Sequence, residues 1–184
     1  MNSREMDYVI SEMSRLLNFD FENVEVREGD GISISATDSK TIIECSGKAE
    51  LCRSLSVLKK NLESGNKTFE HKEKPFFKTR SIMLDLSRNG VMKVESIKKY
   101  ISYMAALGLN TVLLYTEDTY ELKEYPFLGY MRGRYTKEEF KEIDDYAYSL
   151  GVFARAPFSA KYTPAKTTLA ITVRTSKPSV NTNF

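Results

Sequence analysis

The sequence predicts an α/β protein in which a small α+β domain precedes the first two βα units of a partial (β/α)8 TIM barrel. Beyond about residue 75, strand and helix patterns alternate, whereas the first 70 residues place short strands between two helices. Alternating strands and helices favour a parallel sheet, because the helix must carry the chain back to the starting edge. The composition, 41% hydrophobic and 28% charged, is typical of a globular protein.

The N-terminal domain is predicted to span residues 1–70. Apolar residues recur at helical spacing over Ser3–Leu17, which indicates an amphipathic helix. Three short alternating stretches follow between turn signals and predict a small meander, which covers Val24–Arg27, Gly31–Ala36 and Thr41–Ser46. Leucines at helical spacing then predict a second helix that ends near Gly65.

The barrel units are predicted over residues 75–152, after a charged connector at Asn66–Lys74. Two apolar stretches predict buried parallel strands that flank a helix, and a capping box predicts a second helix that ends at Gly151. The strands are Ser81–Leu86 and Thr111–Tyr115, the first helix is Glu95–Leu107, and the capping box pairs Thr136 with Glu139.

The pattern changes at residues 153–184. This segment contains no acidic residue, and its basic residues are Arg155, Lys161, Lys166, Arg174 and Lys177. Proline also appears soon after the point where a third buried strand is required, and proline cannot join a central ladder. The change predicts a basic, Thr- and Pro-containing tail that is disordered or non-native, and that arises from a frameshift or a similar gene disruption.

Several kinds of site are disfavoured by the residues present. Cys45 and Cys52 match neither a CxxC redox motif nor a zinc site, and His71 is the single histidine. No cofactor and no metal are therefore expected. The sequence has no apolar run long enough to cross a bilayer, so membrane association is not expected and the cytoplasm is the expected location.

Polar clusters follow both predicted barrel strands. The first contains Asp85, Ser87, Arg88 and Asn89, and the second opens with Glu117 and Asp118 before a long loop rich in aromatic residues. Functional groups of parallel barrels gather at the carboxyl ends of the strands, so the clusters indicate an enzyme acting on a polar substrate.

Structural roles for the same residues stay open on the sequence alone. Asp85 serves equally well to cap the next loop or to pair with Arg88. The two neighbouring acids fit a solvated loop, and the aromatic residues fit packing of that loop against the barrel, which would apply to Tyr125, Phe127 and Tyr130.

Three motifs resemble the start of the catalytic domain of family 20 glycoside hydrolases, the β-N-acetylhexosaminidases, of bacteria. They are TRSIMLDLSRNGV, MAALGLNTVLLYTEDTYEL and GYMRGRYTKEEFKEIDDYAYSLGV, and together they cover about residues 78–152. Residues 1–70 are more loosely similar to the small non-catalytic domain that precedes the barrel in these enzymes. The chain is thus expected to be the first part of such an enzyme, truncated or frameshifted after about Val152.

The resemblance implies substrate-binding roles for four residues. Arg80 matches the arginine that binds ring hydroxyls of the terminal sugar, and Asp85 matches the acid that ends the first strand. Glu117 and Asp118 stand where many members have two aspartates. We expect Arg80, Asp85 and Asp118 to converge on one cavity at the carboxyl side of the strands.

The resemblance also implies hydrolysis of terminal N-acetylhexosamine from β-glycosides by a substrate-assisted retaining mechanism. The catalytic Asp-Glu pair of the family has no match in this chain, so no catalytic residue is assigned and the isolated chain is expected to be inactive. The expected partners are N-acetylhexosamine-containing glycans. The alternatives are a different TIM-barrel hydrolase or a non-enzymatic carbohydrate-binding protein; the dispersed basic residues of the tail are a weak signal for nucleic acid, which is not expected as a partner.

Overall fold

A computed structural model describes residues 1–87 and 90–155. The helices are α1 (Ser3–Leu17), α2 (Lys48–Glu63), α3 (Val94–Ala106) and α4 (Lys137–Ser149). The strands are β1 (Val24–Glu28), β2 (Ile32–Ala36), β3 (Thr41–Cys45), β4 (Phe69–Glu73), β5 (Ser81–Asp85), β6 (Thr111–Tyr115) and β7 (Phe153–Arg155). None of these helices is both long and apolar enough to cross a bilayer.

The N-terminal sheet has the strand order β1-β3-β2-β4, which corrects the predicted meander. β1 is parallel to β3, while β2 is antiparallel to both β3 and β4. The fourth strand lies inside the predicted charged connector, so this domain extends to Glu73 rather than ending at residue 70. A polar edge strand pairs through its backbone, and its sequence therefore lacks the apolar signal of a buried strand.

The C-terminal sheet contains β5, β6 and β7 in that order, all parallel. The predicted parallel pairing of the first two barrel strands is confirmed, and α3 connects them. β7 corrects the predicted boundary at Val152, because Phe153–Arg155 pairs with β6 where the tail was expected to begin. Ala154 is buried in this short strand. The rest of the predicted tail, residues 156–184, lies outside the described residues.

The two sheets share a double layer of helices. Helix α2 contacts β2 and β3 on one side and α3 on the other, while α1 lies beside α2 and reaches α3 and α4. Burial of α2 is correspondingly broad, and its buried residues are Ala49, Leu51, Cys52, Ser54, Leu55, Val57 and Leu58. The apolar side chains of both domains form one continuous core.

Polar contacts connect the same helices across the layer. Tyr146 of α4 donates a hydrogen bond to Glu12 of α1 with an Oη to Oε2 distance of 3.1 Å, and burial, reinforced by Glu12, raises the pKa of Tyr146 to about 12. Lys48 at the start of α2 forms a 2.8 Å ion pair with Glu5 and lies over the ring of Tyr148. These contacts link elements that are far apart in sequence.

The start of α2 approaches the backbone at Gly151 very closely. Gly151 has a φ of +76°, and a Cβ atom placed there would lie 2.6 Å from the amide nitrogen of Ala49 and 2.7 Å from Cβ of Lys48. The lack of a side chain at this position therefore lets α4 end directly against α2. Gly65 has a similar φ of +80° but no neighbouring atom within 4 Å of its Cβ position.

This difference predicts unequal effects of alanine at the two glycines. Gly65→Ala is expected to cost about 1 kcal/mol, because only the left-handed backbone opposes the new side chain. Gly151→Ala adds a clash with α2 and is expected to cost about 3 kcal/mol or more. Urea unfolding followed by circular dichroism measures both; equal losses of unfolding free energy would contradict the close approach of α2.

Candidate functional site

The first polar cluster lies at the carboxyl end of β5. Oδ1 of Asp85 accepts hydrogen bonds from the backbone N–H and the hydroxyl of Ser87, at 2.9 and 2.6 Å. The structural role considered for Asp85, capping of the next loop, is therefore present. Its alternative pairing with Arg88 lies outside the described residues, as does Asn89. Asp85 is the register partner of Tyr115, so the two side chains lie on the same face of the sheet.

The second cluster forms a tight turn directly after β6. The amide of Thr119 donates to the carbonyl of Thr116 at 2.8 Å. The buried Thr119 hydroxyl lies 2.9 Å from the carbonyl oxygen of Leu86, which ties this turn to the end of β5. Both acids of the turn are consequently held at the carboxyl edge that also carries Asp85.

Glu117 and Asp118 differ in their surroundings. Glu117 has a positive φ of 46°, and its Oε1 accepts a hydrogen bond from the Tyr115 hydroxyl at 2.9 Å. Oδ1 of Asp118 is buried and has no hydrogen-bond partner among the described residues, although the side chain as a whole is 42% exposed. Its Oδ2 lies 3.8 Å from Nε of Arg132. Asp118 therefore combines a partly exposed carboxylate with an oxygen that has spare acceptor capacity, which makes it a candidate acceptor for a ligand hydrogen bond.

The long loop after this turn is fixed by its own polar contacts. One guanidinium nitrogen of Arg134, Nη1, donates to the carbonyls of Pro126 and Leu128 at 2.8 and 2.9 Å. The Tyr135 hydroxyl donates to the carbonyl of Met92, and burial raises the pKa of Tyr135 to about 12. The loop is therefore held at its tip and at its end.

Gly129 brings the loop tip against the acid turn. Its φ is +65°, and a Cβ atom there would lie 2.2 Å from the carbonyl oxygen of Asp118. No side chain fits in that space. The aromatic residues around it do not pack against the barrel, which corrects that alternative: Tyr125, Phe127 and Tyr130 are 48%, 84% and 65% exposed.

Arg80 does not join the acids, and the predicted convergence is wrong in this respect. It precedes β5, at the amino end of the strands, where its Nε and Nη1 donate to the carbonyls of Gly108 and Phe77 at 2.7 and 2.9 Å. Its Nη2 lies 2.6 Å from Oε1 of Glu50 in α2, in a pair that is mostly buried. Arg80 therefore links the two domains through Glu50. Its other donors are also directed to acceptors away from the carboxyl edge.

Other functional positions were not singled out from the sequence. Thr119, Gly129, Arg132 and Arg134 shape the site through contacts that a linear pattern does not reveal. The close spacing of Gly129 and Gly133 in the loop is the signal that the sequence offered. Within residues 1–87 and 90–155, no group of three or more His, Cys, Asp or Glu side chains is arranged to hold a metal ion.

No protein-family model and no curated relative matches the chain. Solved structures do match. The GH20 β-N-acetylhexosaminidase from Streptomyces coelicolor is 20% identical with a TM-score of 0.69, over 84% of this chain and 40% of that enzyme. A mutant β-hexosaminidase of Streptomyces plicatus, in complex with the product GlcNAc, is 22% identical with a TM-score of 0.69 and the same two coverages.

A β-N-acetylhexosaminidase from Bacteroides fragilis is 28% identical with a TM-score of 0.61, over 73% of this chain and 32% of that enzyme. The chain thus spans less than half the length of each of these enzymes. The similarity covers both the N-terminal domain and the first barrel strands, since 84% of 184 residues is more than either part alone. The chain has the fold of the opening part of the GH20 β-N-acetylhexosaminidases, as its sequence motifs predicted.

Proposed function

We propose that this chain supplies part of the sugar-binding edge of a β-N-acetylhexosaminidase, an enzyme that removes terminal N-acetylhexosamine from β-glycosides. The observation that carries the proposal is the Asp118 carboxylate at the carboxyl edge of a barrel sheet, which is 42% exposed and whose Oδ1 has no hydrogen-bond partner among the described residues. In that fold the matching structures are glycoside hydrolases, and several of them have GlcNAc bound.

Asp118 acts in this proposal as an acceptor for a hydroxyl of the terminal sugar. A hydrogen bond to a charged acceptor contributes about 1.5 to 3 kcal/mol, which is enough to orient a small neutral ligand. Asp85 lies on the neighbouring strand and Glu117 in the same turn, so both carboxylates lie at the same carboxyl edge as Asp118. Arg80 is not needed for this role and serves to hold β5 against α2.

The chemistry itself is assigned to residues that this chain does not contain. The family resemblance implies that the 2-acetamido oxygen of the substrate attacks the anomeric carbon, while an aspartate orients that group and a glutamate protonates the leaving oxygen. No Asp-Glu pair follows the second barrel unit in this sequence. The proposed contribution of residues 1–155 is therefore recognition of the sugar, without a proton donor for the glycosidic bond.

A non-enzymatic carbohydrate-binding protein is the second candidate, because the same carboxylates bind sugar hydroxyls without any chemistry. The two candidates differ in what a longer chain does: a polypeptide that adds the remaining barrel units hydrolyses the glycoside in the first case only. Sugar binding by the present chain is common to both.

We expect the chain to bind GlcNAc through Asp118. Asp118→Ala is expected to weaken binding about tenfold or more, since it removes a charge-assisted hydrogen bond. Saturation-transfer NMR titration of GlcNAc measures the affinity. Asp30→Ala is the matched control, because Asp30 is an exposed carboxylate on the N-terminal domain that pairs with Lys74. Equal affinity for the wild type and Asp118→Ala, or no binding by either, would overturn the assignment.

We further expect no turnover of an aryl N-acetyl-β-glucosaminide by the chain. The physical reason is that departure of the aryl oxide requires the orienting aspartate and the proton donor together, and neither is present. Release of the coloured phenol, compared with a heat-denatured sample, is the measurement. Hydrolysis above that background that is lost in Asp118→Ala would show that catalytic groups lie within these 184 residues.

A further inference from the structure

The tip of the loop after β6 carries four large apolar side chains that are exposed to solvent. Phe127 and Met131 are 84% and 89% exposed, and Tyr125 and Tyr130 are about half to two thirds exposed. Exposed apolar residues that cluster on a structured surface commonly mark a binding site, whereas single ones do not. We call these four residues the aromatic tip.

The aromatic tip is attached to a fixed backbone. Arg134 holds the carbonyls on both sides of Phe127, and Nε of Arg134 lies 3.5 Å from Oε1 of Glu121 at the base of the loop. Successive turns connect Tyr125 to Leu128 and Phe127 to Tyr130 through backbone hydrogen bonds of 2.9 and 3.2 Å. Rings carried on such a backbone lose little further freedom when a ligand stacks on them.

The aromatic tip also adjoins the acid turn. Gly129, between Phe127 and Tyr130, packs against the carbonyl oxygen of Asp118 so closely that only glycine fits. Arg132, one residue beyond the tip, lies 3.8 Å from the Asp118 carboxylate. The backbone of the aromatic tip thus lies directly against the acid turn that carries Asp118.

We propose that the aromatic tip forms a second sugar subsite, which binds the residue linked to the terminal N-acetylhexosamine of a β-linked oligosaccharide. This inference rests on the proposed function of Asp118 and extends it. The C–H face of a pyranose ring packs on an aromatic face, as apolar groups do generally, while its hydroxyls stay accessible to water and to Arg132. Phe127 and Tyr130 are the stacking residues.

A carbohydrate fits this surface better than a second copy of the chain. The apolar residues are few, and charged residues flank them on both sides, namely Lys123, Glu124 and Arg132. A stable protein interface buries about 800 Å² on each partner, and charged residues are depleted at its centre. A single sugar ring, by contrast, needs only one or two aromatic side chains beside polar groups.

The test compares GlcNAc with N,N′-diacetylchitobiose as ligands of the full chain. The wild type is expected to bind the disaccharide about tenfold more tightly, which is the effect of about 1.4 kcal/mol from one added stacking contact. The double variant Phe127→Ala, Tyr130→Ala is expected to lose this difference and to keep the affinity for GlcNAc. The matched control is Phe76→Ala, Phe77→Ala, since these rings are also exposed, at 92% and 66%, and lie before β5.

The outcomes separate this inference from the proposed function. Equal affinities of the wild type for the two ligands would overturn the second subsite and leave the role of Asp118 intact. Failure to bind either ligand would overturn both. A wild type that dimerises in analytical ultracentrifugation, and becomes monomeric in the Phe127, Tyr130 variant, would assign the aromatic tip to self-association instead.

Discussion

Helix α2 must bury two sides at once, and the rest of the structure depends on that constraint. It covers β2 and β3 of the first sheet and meets α3 of the second domain. Leu51 and Leu55 are fully buried, and the Cys52 thiol lies 3.7 Å from the carbonyl of Leu150, at the end of α4. Burial raises the pKa of Cys52 strongly, as expected for a thiol that serves as an apolar core group. The helix that the spacing of its leucines predicted is therefore buried over more than a single stripe.

The packing of α2, α3 and α4 also positions the candidate site. Ile97 and Ile101 of α3 and Ile143 of α4 are fully buried in the core that also contains Val112 and Leu114 of β6, and α4 contacts β7. The carboxyl ends of the parallel strands β5 and β6 then bring Asp85 and Asp118 to one edge, and Thr119 connects that edge through the Leu86 carbonyl. The face of β5 that carries Asp85 is open, and Met83 on the same face is largely exposed.

The sequence predicted the helices and the first two barrel strands, because each carries an apolar pattern. β5, however, is a partly exposed edge strand rather than the buried strand that was expected. The capping box of Thr136 and Glu139 was confirmed, with both of its reciprocal hydrogen bonds present. The sequence did not predict β4 or β7, because backbone groups make the pairing of these strands and their side chains carry little apolar pattern. The parallel pairing of β1 with β3 is likewise a property of the sheet rather than of either strand.

The candidate site was predicted in part. The acids at the strand ends follow from the position of the strands, and Asp118 was favoured over Glu117. Arg80 was misplaced, since its neighbours Glu50 and Gly108 are 30 and 28 residues away in the chain and no local pattern reveals them. The exposure of the aromatic tip depends on how Gly129 and Arg134 fold the loop, which required the structure.

The claim that α2 joins the two sheets is tested most directly by native-state hydrogen exchange. The amides to compare are those of Ile43 in β3, Leu55 in α2 and Leu114 in β6. If α2 joins both sheets into one cooperative unit, the three amides exchange with the same free energy of opening and respond alike to denaturant. Strong protection of Ile43 together with rapid exchange at Leu114 would show that the C-terminal sheet opens independently, and would contradict this account.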